Sequence, residues 1–260
     1  MSLLSVEDLV LKQQRLRRRW FRYDKEDEIL IDHVSFAIDN HGSLGLVGEE
    51  KSGKFALTLA LLKLHEVASG KINFAEVDVT AIGDRHFRRM RKWIQPVFGD
   101  RYGQLTPDFT VNESFLEVLK VWFASTGKDD WYQKIETVMI ACGLPEAVRV
   151  LYPVELDAVE RIQVAIARAL LTRPRLLICH GVTQGLDVVQ QAEILNLIRR
   201  LREDHGLALL IVTDDLAVAH HLGDHIGVLH RGKMLEYGNA EVIVNRPEHE
   251  YTRRLVSCSV

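Results

Sequence analysis

Cysteine is scarce. The three in 260 residues, Cys142, Cys179 and Cys258, are an odd number with no paired spacing, which argues against a disulfide framework or a zinc motif and for a reducing compartment. No apolar run approaches the ~18 residues that a membrane-spanning helix needs. With a mean hydropathy of −0.03, the chain is not expected to cross a bilayer. A surplus of positive charge is also missing. The 33 Lys and Arg against 36 Asp and Glu leave a formal net charge of −3, which speaks against a dedicated nucleic-acid binder. The segment from Met1 to Leu11 alternates apolar and acidic residues and has neither the charged start nor the apolar core of a signal peptide, so a cytoplasmic-side protein is expected. Repeats and low-complexity stretches are absent. What is present, 47% hydrophobic and 27% charged residues, suits one large folded domain or two small ones.

The first third reads mostly as strands and turns. Val34, Phe36 and Ile38 alternate with polar neighbours, and Asn40-His41-Gly42 is a turn signal leading into the apolar run Leu44 to Val47. A glycine-containing loop then opens a helix over about Lys54 to His65, apolar nearly all round and therefore expected to be buried. Ile72 to Phe74 reads as another short strand. From Thr110 the pattern turns helical, with Thr110 and Glu113 spaced as a capping box. Two further helices are expected over about Asp129 to Cys142 and Asp157 to Leu171, the second stopping before Pro174. Beyond it, short apolar strands (Leu176 to Cys179, Leu207 to Thr213) alternate with a long helix (Asp187 to His205). A hairpin follows, turning at Arg231-Gly232, and a helix after Pro247. Continuous apolar strands linked by helices indicate a parallel sheet covered on both faces. The expected organisation is an N-terminal β portion with the first half of the core (1–99), a helical subdomain (100–172) and the second half of the core (173–260).

Gly48-Glu49-Glu50-Lys51-Ser52-Gly53-Lys54 has the spacing G-x-x-x-x-G-K between a predicted strand and a predicted helix. In that setting successive backbone N–H groups and the helix N-terminus converge on an anion, so Gly48, Ser52, Gly53 and Lys54 are candidate phosphate-binding residues.

Together with Leu44 to Glu49, Tyr152-Pro153, Val164 to Leu170, Arg173-Pro174 and Asp187, this loop resembles that of ABC-transporter ATPase subunits, and among them the dipeptide/oligopeptide importers. The stretches Leu207 to Ala219 and Asn245 to Leu255 are similar to the same class, so the likeness spans essentially the whole chain. The resemblance implies an α/β P-loop NTPase (RecA-like) core with an N-terminal antiparallel β portion and an inserted α-helical subdomain. It also implies a head-to-tail dimer sandwiching ATP, with Asp187 at the dimer interface, and contact with membrane permeases.

At the positions to which the resemblance assigns chemistry, this sequence departs from the family. The Mg²⁺-holding Ser or Thr after the loop lysine is Phe55, which has no oxygen for a hard cation. Glu50 and Lys51 stand where the family has small residues and Gly; a side chain at a glycine-type backbone position is expected to cost about 1 kcal/mol. The metal-supporting Asp is His180, and the general base after it is Gly181, which has no group to orient or deprotonate water. The γ-phosphate-sensing His is Asp214. The Gln that senses Mg²⁺ and couples to the permease is Gly99, within Phe98-Gly99-Asp100-Arg101-Tyr102-Gly103. The signature L-S-G-G-Q reads Leu156-Asp157-Ala158-Val159-Glu160, with Asp157 and Glu160 favouring the helix start but opposing a nucleotide. The adenine-stacking aromatic falls at about Gln13, with Trp20, Phe21 or Tyr23 as substitutes.

These departures lead to the expectation of a subunit with no catalytic residue and no metal site. Binding of ATP or ADP is expected to be weak and without ordered Mg²⁺. The implied partners are a paralogous ABC ATPase subunit, transmembrane permeases and, indirectly, a peptide-binding protein, at the cytoplasmic face of the inner membrane. An active ATPase with an unusual site and an interaction module repurposed outside transport stay open as alternatives. His220, His221 and His225 read as part of a helix leading into the hairpin rather than as metal ligands, and Arg15, Arg17, Arg18 and Arg19 read as a solvated loop.

Overall fold

Strand periodicity governs the N-terminal part, where Leu4, Val6, Leu9 and Leu11 on one segment and Ile31, Val34, Phe36 and Ile38 on the next are buried. The computed structural model describes residues 2–19, 22–99 and 103–258, apart from the side chains of 15–19, 22–25 and 128. It divides into two units, Met1–Arg89 with Leu210–Val260, and Met90–Leu209.

In the first unit, β1 (Ser2–Arg19) and β2 (Arg22–Asp39) form one long antiparallel ribbon that runs from Ser2 opposite Asp39 to Arg19 opposite Arg22, with register shifts between Ser2 and Lys12 and a regular pairing from Lys12 onward. The arginines at 15 and 17–19, read above as a loop, therefore lie in a strand. Register supplies a reason: Arg15 stands opposite Glu26 and Arg17 opposite Asp24, and opposite charges directly across an antiparallel pair favour it. After β3 (Ser43–Val47) and α1 (Lys54–Leu61), β4 (Ser69–Phe74) pairs with the other edge of β1 and carries β5 (Val77–Asp78) beside it. The helix α1 is shorter than expected. Lys63 takes a left-handed φ of 53°, and its ammonium is held by the carbonyls of Val79, at 3.0 Å, and Ile82, so the chain turns away instead of continuing the helix. α2 (Asp84–Met90) follows β5.

A second sheet in this unit runs in the order β10-β9-β3-β8, built on β8 (Ala208–Thr213), β9 (His225–His230) and β10 (Lys233–Asn239). β3 is parallel to β9, and the β9–β10 hairpin turns through Arg231 (φ 48°) and Gly232 (φ 83°), the turn expected from the sequence. α7 (Leu216–Leu222), α8 (Ala240–Asn245) and α9 (Glu250–Cys258) close one face around Val47, Leu216, Ala219, Val228 and Ile243.

In the second unit β6 (Ile94–Phe98) and β7 (Leu176–His180) pair in parallel, from Ile94 opposite Leu176 to Phe98 opposite His180. β6 escaped the sequence reading because Pro96 argues against a strand, yet a strand at the border of a sheet tolerates the missing donor. Helices α3 (Val111–Trp122), α4 (Lys128–Ala141), α5 (Ala158–Leu170) and α6 (Val188–His205) complete the unit. Capping boxes start three of them, at Thr110, Asp157 and Asp187, and Gly206 (φ 60°) ends α6.

At the first of these caps, Thr110 N and Oγ1 donate to Glu113 Oε2 at 2.8 and 2.9 Å, which lowers the Glu113 carboxyl below its ordinary range. Thr110→Ala is expected to cost about 1 kcal/mol near neutral pH, read as a lower denaturant midpoint. Because the folded pKa is depressed, the carboxylate's share of that margin is full above the unfolded-state pKa. It is lost as pH falls through the folded value, so the gap between the two proteins narrows in acid to the share of the Glu113 N to Thr110 Oγ1 bond.

Candidate functional site

The phosphate-loop sequence sits between the buried end of β3 and the start of α1, and backbone bonds brace it from outside. Ser52 N donates to Glu49 O at 3.0 Å, Gly232 N to Ser52 O at 2.8 Å and Asp32 N to Gly232 O at 2.9 Å, tying the loop to the β9–β10 turn and to β2. Gly53 has a φ of 103°, and a side chain there would begin 2.5 Å from Leu30 O; at Gly48 it would overlap the Leu229 carbonyl oxygen. Glycine is the residue that fits at both. Neither Glu50 nor Lys51 adopts a positive φ, so the strain expected at Lys51 is corrected: a non-glycine residue is accommodated there without that cost.

Lys54 is buried, 5% exposed, and its ammonium lies against Gly48 O, Glu49 O (2.7 Å) and Ser52 Oγ (3.3 Å). The loop thus folds around its own cation. Phe55, the next residue, is 42% exposed. Asp214 is exposed immediately after β8, and Asp215 caps α7 by accepting from Ala217 N at 2.8 Å. Tyr251 of α9 was missed from sequence. Burial raises its phenol pKa, beside Glu49 of the loop, and its ring lies 4.2 Å from that of His230; nothing local in Glu250-Tyr251-Thr252 signals this position.

Within the second unit the ends of β6 and β7 meet at backbone distance. Gly99 N donates to His180 O at 2.9 Å, which extends the parallel pair by one step. A side chain at 99 would overlap the Gly181 carbonyl oxygen, and Gly181 itself has a left-handed φ of 61°. His180 is 6% exposed, its ring 5.7 Å from that of Phe98. At the start of α5, Asp157 Oδ1 accepts from Glu160 N at 2.7 Å and Glu160 Oε2 from Asp157 N at 2.9 Å. Both amides are therefore spent on the chain's own carboxylates. At α6 the carboxylate of Asp187 accepts from Gln190 N at 2.9 Å. A cavity of about 280 Å³ opens beside Phe98, bordered by Leu105, Pro153, Val154 and Ile162.

Of the residues singled out from sequence, the structure brings Gly48, Ser52, Gly53 and Lys54 into one loop, followed by Phe55, and Gly99, His180 and Gly181 into one backbone junction. Asp157 and Glu160 share a helix start. Trp20, Phe21, Asp100, Arg101 and Tyr102 lie outside the described residues, as does the side chain of Tyr23; Gln13 is an exposed position of β1. Among the described residues no cluster of His, Cys, Asp and Glu could hold a metal ion, and His220 Nε2 lies 3.1 Å from Glu241 Oε1. The donor chemistry of the loop fits a phosphate, through Lys54 and the loop amides, and the residue after the lysine, Phe55, supplies no side-chain oxygen for a hard cation such as Mg²⁺.

The ABC transporter family model matches residues 31–183. The chain is 34% identical over 228 residues to a putative peptide import ATP-binding protein of Brucella ovis, covering 88% of this chain and 72% of that protein. It is 30% identical over 256 residues to the oligopeptide transport ATP-binding protein OppF of Salmonella typhimurium, covering 98% and 77%. Among solved structures, cbiO1 of Clostridium perfringens, part of the ABC transporter complex cbiONQ, superposes with a TM-score of 0.79 at 20% identity, over 94% of this chain and 91% of that one. The ATP-binding cassette MJ0796, a dimer bound to ADP and Pi, does so with a TM-score of 0.77 at 19% identity, over 91% and 98%. These neighbours establish the P-loop NTPase fold.

Restoring a side chain at the β6–β7 junction is expected to be costly. Gly99→Gln should destabilise the protein by about 1–3 kcal/mol through overpacking, whereas Phe55→Ser, at an exposed position, should stay within about 0.5 kcal/mol of the parent. Chemical denaturation of the two variants checks the contrast.

Proposed function

The chain belongs to the ABC transporter family, and we propose that it serves a peptide importer as a nucleotide-binding subunit that does not hydrolyse ATP at a useful rate. It acts structurally or as a regulator beside a partner ATPase and membrane permeases. The observation that carries this reading is the Gly99–Gly181 junction. Where the family has a glutamine and a general base, this chain has two glycines whose backbones leave no room for a side chain at 99. Such a fit goes further than a swapped side chain, because reverting one residue collides with the other strand.

Further support comes from Phe55, His180 and Asp214. Losing one preorganised transition-state donor costs roughly 10²–10³ in rate, and although such losses do not add simply, every change here points the same way. Lys54 and the braced loop favour retained, weak binding of ATP or ADP that does not depend on Mg²⁺.

In a head-to-tail pair with an intact paralogue, neither composite site is standard. One has this chain's phosphate loop, and the other faces the self-capped start of α5, where Asp157 and Glu160 consume the amides. Peptide import is taken from the names of the Brucella ovis and Salmonella typhimurium relatives. With it come the permeases, an indirectly associated peptide-binding protein, and a peripheral position on the cytoplasmic face of the inner membrane.

The test is ATP turnover of the reconstituted complex after the partner's general base has been disabled. Turnover at background is expected; turnover that survives contradicts the proposal. Co-purification of the native chain without any permease would instead favour a role outside transport.

A further inference from the structure

Within the first unit, helix α9 reaches the phosphate loop through one side chain. Tyr251, Leu255 and Val256 pack against the core cluster that contains Val47, the last residue of β3, and Val228 of β9. That packing sets the start of α9 beside the loop that leaves β3. There the ring of Tyr251 lies 4.2 Å from that of His230, which ends β9. The phenol oxygen is buried without a hydrogen bond of good geometry, and the groups beside it are the backbone amide and the carboxylate of Glu49. Burial raises the phenol pKa above its ordinary value, so the hydroxyl is protonated and able to donate at neutral pH. Glu49 is exposed, and its carbonyl takes the Lys54 ammonium at 2.7 Å and the Ser52 amide at 3.0 Å. One residue of the loop therefore stands between α9 and the cation that faces an arriving phosphate.

Packing explains the ring of Tyr251 and leaves its hydroxyl unexplained. A phenylalanine fills the same space against His230 without burying a polar atom, and a buried hydroxyl left unpaired costs free energy. The carboxylate of Glu49 has the opposite difficulty. A negative charge at the mouth of an anion cradle repels the phosphate that Lys54 attracts. Glu50 is exposed on the same loop, but Lys51 follows it with the opposite sign. Glu49 and Tyr251 each relieve the other. We propose that Tyr251 is a positioning residue for phosphate binding, whose hydroxyl draws the Glu49 carboxylate onto α9 and away from the anion while the Glu49 carbonyl stays on Lys54. A phenol donating to a carboxylate makes a charge-assisted hydrogen bond, the stronger class. The hydroxyl touches no nucleotide in this scheme and acts only through Glu49. The inference rests on the reading that the loop retains weak binding of ATP or ADP, and it adds to that reading the residue that lets an acidic loop accept an anion.

Equilibrium titration with ATP in the absence of Mg²⁺ tests this, on the purified full-length chain and its Tyr251→Phe, Glu49→Gln and E49Q/Y251F variants. Tyr251→Phe keeps the ring against His230 and loses only the hydroxyl, and its circular dichroism should match the parent. It is expected to bind ATP about fivefold more weakly, the effect of a unit charge released to within ~4 Å of the anion in water-like surroundings. Glu49→Gln removes the repulsion and should bind ATP at least as tightly as the parent. In that background the loss of the hydroxyl should change Kd by less than about twofold, because no carboxylate is left to hold. A tyrosine that only packs the helix predicts the same small effect in both backgrounds. The proposal is overturned by a Tyr251→Phe variant that binds ATP as the parent does, by an equal loss with and without Glu49, or by weaker binding in Glu49→Gln alone. Parent binding together with any of these results leaves the retained-binding reading standing. A parent that binds no ATP at millimolar concentrations sinks that reading and the role of Tyr251 with it.

Discussion

The amide of Gly99 donates to the carbonyl of His180, and the carbonyl of Gly181 stands where a side chain at 99 would begin. This contact sets the character of the molecule. Two parallel strands that end side by side normally leave a crevice at their carboxyl ends, which is where α/β folds hold ligands. Here the backbones close over part of that space. The Gly181 carbonyl oxygen stands where a Cβ at 99 would be, so glycine fits at 99, while the left-handed φ of 61° favours glycine at 181. The path of the main chain therefore leaves no room for a side chain at 99.

The phosphate loop is held by backbone contacts of its own. Its geometry depends on glycine at 48 and 53, on a backbone relay from Ser52 through Gly232 to Asp32, and on Lys54 held inside the loop by carbonyl oxygens. None of these features needs a metal. The same loop ties β3, α1 and the β9–β10 turn together through backbone bonds. The family architecture, shared with structures below 25% identity, coexists here with Phe55, His180 and Gly181.

Much of this was legible in the residues themselves. The G-x-x-x-x-G-K spacing placed the loop, Thr110 with Glu113 placed a helix start, and Arg231-Gly232 placed a hairpin, because each is a local device whose chemistry is complete within a few residues. Other features depend on distant parts of the chain and were not legible. β6 was hidden by Pro96, the length of the β1–β2 ribbon by its basic run, and the true end of α1 by a lysine whose acceptors lie on the segment after β5. The Gly99–Gly181 approach could be read only as two substitutions, since it arises when β6 and β7 align. The strain assigned to Lys51 was an inference from family composition, and the backbone there does not carry it.

At the level of physical cause, the account turns on whether any oxygen in this chain still holds a divalent cation next to a nucleotide. The most direct measurement is an equilibrium titration of the purified chain with ATP in the presence and absence of Mg²⁺. The account predicts weak binding with the same Kd in both conditions. A Kd that tightens tenfold or more on adding Mg²⁺, about 1.4 kcal/mol of cation-linked binding, would contradict it.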